Sequence, residues 1–131
     1  LTRPKREVHA MKYSANEVKE SRDYLLKFLK PGSKVITVLR NVSRSGMSRR
    51  IDLYTVYKGD MVYLSHAAAV VMGYPRPTDG IKVGGCGMDM GFHLVYNLGK
   101  TLWPKGTPKP HGSRNGEPDS DGGYALKHSW L

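Results

Sequence analysis

The sequence predicts an α+β protein: a small antiparallel or mixed sheet with helices packed on one face, in the order α-β-β-α-β-α-β. Three observations carry this prediction. A capping signature opens a helical apolar stripe near the N-terminus. Two runs rich in β-formers flank a turn-rich loop in the first half. The C-terminal residues alternate at the period of a strand. The segments alternate too irregularly for a wound parallel sheet.

The elements follow in chain order. Ser14 and Glu17 have capping-box spacing, so a helix begins at about Ala15. Val18, Ser21 or Arg22, Leu25, Phe28 and Leu29 give it one apolar stripe, and Pro31-Gly32 ends it. Lys34 to Val42 reads as a central strand, because both of its faces are apolar. Arg50 to Tyr57 reads as its hairpin partner, with Ile51, Leu53 and Thr55 on one face and Asp52, Tyr54 and Val56 on the other. Lys58-Gly59-Asp60 is a turn. Leu64 to Met72 is a short alanine-rich helix ended by Gly73. Ile81 to Val83 is a short strand, and a helix runs from Asp89 or Met90 to Leu102 with Phe92, Val95, Tyr96, Leu98 or Gly99, and Leu102 inward. Residues 104–122 hold four prolines, four glycines and no apolar residue, which reads as one long polar loop. Tyr124, Leu126, His128 and Trp130 alternate with Ala125, Lys127 and Ser129 in a terminal strand that Trp130 anchors.

The organisation is that of one domain. Residues 1–13 read as a basic, flexible N-terminal extension, and residues 14–131 as a single α+β domain. The formal net charge is +10, and nearly all of it lies early. Residues 1–58 carry 14 Lys/Arg against 5 Asp/Glu, whereas residues 59–131 carry 7 against 6. That asymmetry points to a polyanionic partner meeting the first half. Cys86 is the single cysteine, so an intramolecular disulfide is excluded, as fits a reducing cytoplasm. No apolar run approaches the roughly 18–20 residues that span a bilayer, so no membrane partner is expected.

Two segments bear the chemistry. Arg40, Arg44, Arg49 and Arg50 are interleaved with Ser43, Ser45 and Ser48 around the hairpin turn. Guanidinium forks and hydroxyls suit phosphate oxygens, so this cluster is a candidate grip on nucleic acid or a nucleotide phosphate; a solvated hairpin tip is the plain alternative. The turn from Gly84 to Gly91 joins a strand to a helix and aims amides, including those of Gly85 and Gly87, at whatever lies above. Its spacing matches neither a Walker loop nor a dinucleotide fingerprint. Cys86 at a helix N-terminus, with His93 near it in sequence and Asp89 at the cap, is a conceivable nucleophilic arrangement. A small buried cysteine with Asp89 as a simple N-cap is the competing structural account. Cys86, His93, His111 and His128 lack the close spacing of a metal site, so neither metal nor cofactor is expected. Tyr54, Tyr57, Tyr63, Trp103, Tyr124 and Trp130 can stack on bases only where a sheet face leaves them open; core packing is the default.

Three motifs in order also carry a resemblance: Leu39 to Arg49 (LRNVSRSGMSR), Val83 to Leu98 (VGGCGMDMGFHLVYNL) and Asp121 to Lys127 (DGGYALK). Through them the chain resembles a family of small proteins encoded by bacteriophages and integrated mobile elements, over about Met11 to Leu131. The resemblance implies a setting, that of a phage or prophage accessory gene acting in bacterial cytoplasm, and brings no activity with it. Two positions depart from the pattern. Many relatives have His where this chain has Asn41. Some carry a Cys/His-containing stretch before the Asp-Gly-Gly-Tyr segment, where this chain has His111 and no cysteine. The expected function is nucleic-acid or nucleotide binding through the Arg/Ser hairpin. The alternatives are a protein–protein inhibitor of a host defence complex that handles nucleic acid, and an enzyme using Cys86.

Overall fold

A computed structural model describes residues 13–41, 48–75, 81–84, 89–112, 117–118 and 123–130. Helix α1 (Ala15–Phe28) starts where the capping signature puts it. Ser14 Oγ accepts from the Glu17 amide at 3.0 Å, and Glu17 Oε1 accepts from the Ser14 amide at 2.9 Å. Two orphan donors of the first turn are thus satisfied reciprocally. Leu25 and Leu29 are buried, with Val18, Ser21, Arg22 and Phe28 half-buried along the same stripe.

Strands β1 (Lys34–Asn41) and β2 (Ser48–Tyr57) form the antiparallel hairpin, with Ile36 opposite Tyr54 and Arg40 opposite Arg50. β3 (Asp60–Tyr63) pairs with the Tyr54–Tyr57 half of β2. After α2 (Ser65–Met72), β4 (Ile81–Gly84) pairs with the other half of β2. Between them, the Leu53 carbonyl accepts from the Leu64 amide at 2.7 Å and the Leu53 amide donates to Ser65 Oγ at 2.6 Å. The start of α2 therefore satisfies the stretch of β2 edge that neither short strand reaches. Then come α3 (Asp89–Leu102), β5 (Pro110–Gly112), β6 (Glu117–Pro118) and β7 (Tyr124–Trp130). β7 pairs with the free edge of β1, and β5 and β6 share its outer edge.

The α+β class is as the sequence predicts, and every strand pair is antiparallel. The order differs by three short strands. β3 begins on Asp60 of the Lys58-Gly59-Asp60 turn, which masks the start of its four residues. β5 and β6 lie inside the stretch that reads as one polar loop. Pro110 opens β5 at the sheet edge, where its missing N–H breaks no ladder. The domain also reaches back to Tyr13, whose hydroxyl donates to the Tyr74 carbonyl at 2.6 Å.

The helices cover one face of the sheet. Val35, Ile51, Leu53 and Trp130 meet Leu25, Leu29, Leu94, Val95, Leu98 and Leu102 in one core. The inward side of α3 departs from expectation: Leu94 is buried, while Phe92 is exposed and Tyr96 half-buried. Arg22 staples α1 to the end of α3, donating to the carbonyls of Thr101 (2.6 Å) and Leu102 (2.8 Å). These are the orphan acceptors of a helix C-terminus, where a cation also suits the dipole. Trp130 sits edge-on to Trp103, ring centroids 5.0 Å apart, and donates from Nε1 to the Val95 carbonyl at 3.2 Å. α3 crosses it at Gly99, where a Cβ would lie 2.5 Å from Trp130 Nε1.

One polar pair is buried under α3. Thr37 Oγ1 donates to the Leu126 carbonyl (3.4 Å) and lies 3.1 Å from His128 Nε2. That orientation puts the ring proton on Nε2 and leaves Nδ1 as a buried acceptor. Burial holds the His128 pKa below its usual 6.5. The unfolded chain then binds a proton that the folded chain refuses, so stability rises through the unfolded pKa and is lost as pH falls toward the depressed folded value. Chemical denaturation midpoints are expected to fall as pH drops below 6.5. A His128→Gln variant is expected to lose that limb of the profile.

Candidate functional site

Strand alternation turns every second residue away from the helices. On β1 these are Lys34, Ile36, Val38 and Arg40; on β2, Arg50, Asp52, Tyr54 and Val56; on β7, Ala125, Lys127 and Ser129. Among the described residues no helix covers this second face; toward the hairpin end Val38 and Asp52 are nevertheless buried, with Gly123 packed close to Val38 and Arg40, and the exposed part lies toward Lys34, Val56 and Lys127.

At the hairpin end, Arg40 and Arg50 stand directly opposite each other, an unfavourable cross-strand pair in isolation. Asp52 resolves the repulsion. Its carboxylate, with Asp52 only 4% exposed, lies 3.3 Å from Arg40 Nε and 3.2 Å from Arg50 Nε. The Arg40 contact is a hydrogen bond; the Arg50 contact is ionic without an aligned one. Both guanidiniums thus share one buried carboxylate. In the register Lys82 also falls opposite Arg50.

The predicted arginine cluster is therefore divided. Arg49 is on the opposite face from Arg50, between Asn41 and Val83 in the register, and its Nε is buried without a hydrogen-bond partner among the described residues. Ser43, Arg44, Ser45, Gly85, Cys86 and Gly87 lie outside the described residues. Asp89 opens α3, and His93 is exposed on it, edge-on to Phe92 at 6.1 Å. The suggested Cys86–His93 pair thus also falls outside the described residues.

Midway along the open face, Tyr54 and Tyr63 are cross-strand neighbours with ring centroids 5.3 Å apart and planes tilted by 57°. Tyr63 is 38% exposed, and Val56 and Met61 beside it are each 56% exposed. Burial of its phenol pushes the Tyr63 pKa above 10.0, so it keeps its proton at neutral pH. The other aromatics named from the sequence lie elsewhere. Tyr57 packs on Phe28 at 4.9 Å, Trp103 and Trp130 belong to the core region, and Tyr124 is exposed at the start of β7.

At the far end, Lys34, Ile36, Val56 and Lys127 line a groove of about 330 Å³. It adjoins a second, of about 300 Å³, bordered by the same two lysines with His111 and Ser129. His111 Nε2 and Ser129 Oγ are 3.1 Å apart. Among the described residues neither lysine has an acidic partner. Nor do the described residues hold three His, Cys, Asp or Glu side chains grouped as a metal site would need.

Sequence reasoning found Arg40 and Arg50 but missed Asp52, Lys34 and Lys127. The signal lay in period-two alternation: Arg50, Asp52, Tyr54 and Val56 share one face, and Lys127 opposes Ile36. Chemically, the face offers cations at both ends, the Tyr54–Tyr63 pair between them and exposed Val56 and Met61 at the lysine end, an arrangement suited to an anion with flat apolar parts. In comparison with known proteins, no family model, no curated protein and no solved structure matches the chain.

Proposed function

We propose that this chain is a small accessory protein of the bacteriophage or mobile-element kind, acting in the bacterial cytoplasm, that binds nucleic acid or a phosphate-bearing nucleotide through the open face of its sheet. The observation that supports the reading best is the distribution of cations on that face. Arg40 and Arg50 stand side by side at one end, and at the other Lys34 and Lys127 have no acidic partner among the described residues. The bulk charge agrees in sign, and the hairpin that carries Arg40 and Arg50 also carries Ser43, Arg44 and Ser45 in sequence. No helix of the described residues is long and apolar enough to cross a membrane.

The test is binding of labelled single-stranded DNA, duplex DNA, RNA and a nucleotide panel across a range of salt. A polyanion site predicts affinity that falls linearly in log–log form with salt, by about 0.7 per phosphate contact on a single strand. A folded protein that binds none of these at low salt would end the reading. It would turn the exposed strip of Val56, Met61 and Tyr63 toward a host protein instead.

A further inference from the structure

We infer that the ligand of the open face is a single-stranded nucleic acid, whose bases stack on Tyr54 and Tyr63 while its phosphates reach the arginines at one end and the lysines at the other. This inference rests on the polyanion reading and narrows it.

Three features select a single strand. The first is length. Lys34 and Arg40 are six residues apart on one extended strand, which separates the two cationic ends by about 20 Å. One nucleotide cannot bridge that span, whereas a chain of phosphates can. The second is what lies between. Tyr54 and Tyr63 stand between the two ends, Val56 and Met61 leave apolar surface open on their lysine side, and buried Val38 and Asp52 lie on their arginine side. Aromatic rings on an open sheet stack on bases of any identity, because every base has a π-face. In a duplex those faces are already stacked on neighbouring pairs, so a flat sheet meets only phosphates and groove edges. The third is charge placement. The cations lie at the two ends, where phosphates flanking the stacked bases can reach them. Asp52, only 4% exposed, contacts both guanidiniums and so can hold them in position while offering little surface to a ligand.

Fluorescence anisotropy with three labelled probes of equal length tests this: a thymidine oligonucleotide, an abasic oligonucleotide of the same sugar–phosphate backbone, and a duplex. The abasic probe keeps the charge and removes the stacking partner, so the wild-type protein alone gives a decisive comparison. The expected result is at least about tenfold tighter binding of the base-bearing strand than of either other probe. Tyr54→Leu/Tyr63→Leu, checked for folding by thermal melt, is expected to erase that preference and keep the salt-sensitive binding of the abasic strand. A uridine oligonucleotide shows whether RNA shares the site. Equal binding of the base-bearing and abasic strands would overturn the stacking proposal and leave the polyanion reading standing. So would a preference unchanged in the double variant. Absence of binding to every probe would remove both.

Discussion

Replacing Trp130 with alanine is expected to cost about 3–5 kcal/mol of folding stability, the upper range for a single core truncation. A small domain has only about 5–15 kcal/mol in total, so the variant should be close to unfolding at body temperature. Three losses combine. Trp130, 1% exposed, vacates the largest volume in the core. Trp103 loses its edge-on partner at 5.0 Å. The Nε1 hydrogen bond to the Val95 carbonyl, which ties β7 to α3, disappears. β7 is an interior strand, joined to β1 on one side and to β5 and β6 on the other, so its loosening reaches three neighbours. Trp130→Phe keeps an aromatic and loses only the hydrogen bond and part of the volume, and should cost markedly less. Urea titration of both variants checks this. A loss under about 1 kcal/mol for alanine would show that the terminal strand is peripheral.

The second large effect separates stability from binding at the Arg40–Asp52–Arg50 cluster. Asp52→Asn leaves two guanidiniums facing each other across the hairpin without their buried counter-charge. Its expected cost is about 3 kcal/mol of stability, because breaking a buried pair on one side strands the other charges. Its expected effect on polyanion affinity is the reverse, since the face gains a positive charge. Truncating the arginines alone would confuse the two readouts by leaving a buried carboxylate unpaired. The combination Arg40→Gln/Asp52→Asn/Arg50→Gln removes the described Arg40–Asp52–Arg50 ion pairs and keeps hydrogen-bonding groups in place. It is expected to fold and to lose about tenfold or more in single-strand affinity at low salt. Its salt slope should fall by roughly one to one and a half. Unchanged affinity with unchanged slope would remove the arginines from the site.

Much of the fold was legible from local signals. The capping box, the Leu25–Leu29 stripe, the hairpin and the terminal alternation each depend on residues close in sequence, so pattern alone reveals them. β3, β5 and β6 are not legible, because they begin in turn-forming residues (Asp60, Pro110, Glu117-Pro118) and owe their state to a partner edge, whereas the equally short β4 shows through β-branched Ile81 and Val83. Phe92 was misplaced on α3 for a related reason. Periodicity fixes a stripe, but Gly91 and Gly99 set which side approaches Thr37 and Trp130, and glycine carries no hydropathy signal of its own. At the site, Arg40 and Arg50 were found through local density of arginine. Arg49 was grouped with them because density ignores the pleat, which sends adjacent residues to opposite faces. Lys34 and Lys127 are 93 positions apart in the chain, and β1–β7 pairing alone brings them to one groove.

If the sheet face bearing Arg40, Tyr54 and Lys127 meets the polyanion, the helical face should be left untouched by it. A ¹⁵N–¹H correlation spectrum of the protein titrated with a thymidine oligonucleotide tests it most directly. Amide shifts are expected to saturate together and to map to Lys34–Arg40, Arg50–Val56, Met61–Tyr63 and Ala125–Lys127. Shifts confined to α1 and α3, with β1 and β2 unmoved, would contradict it.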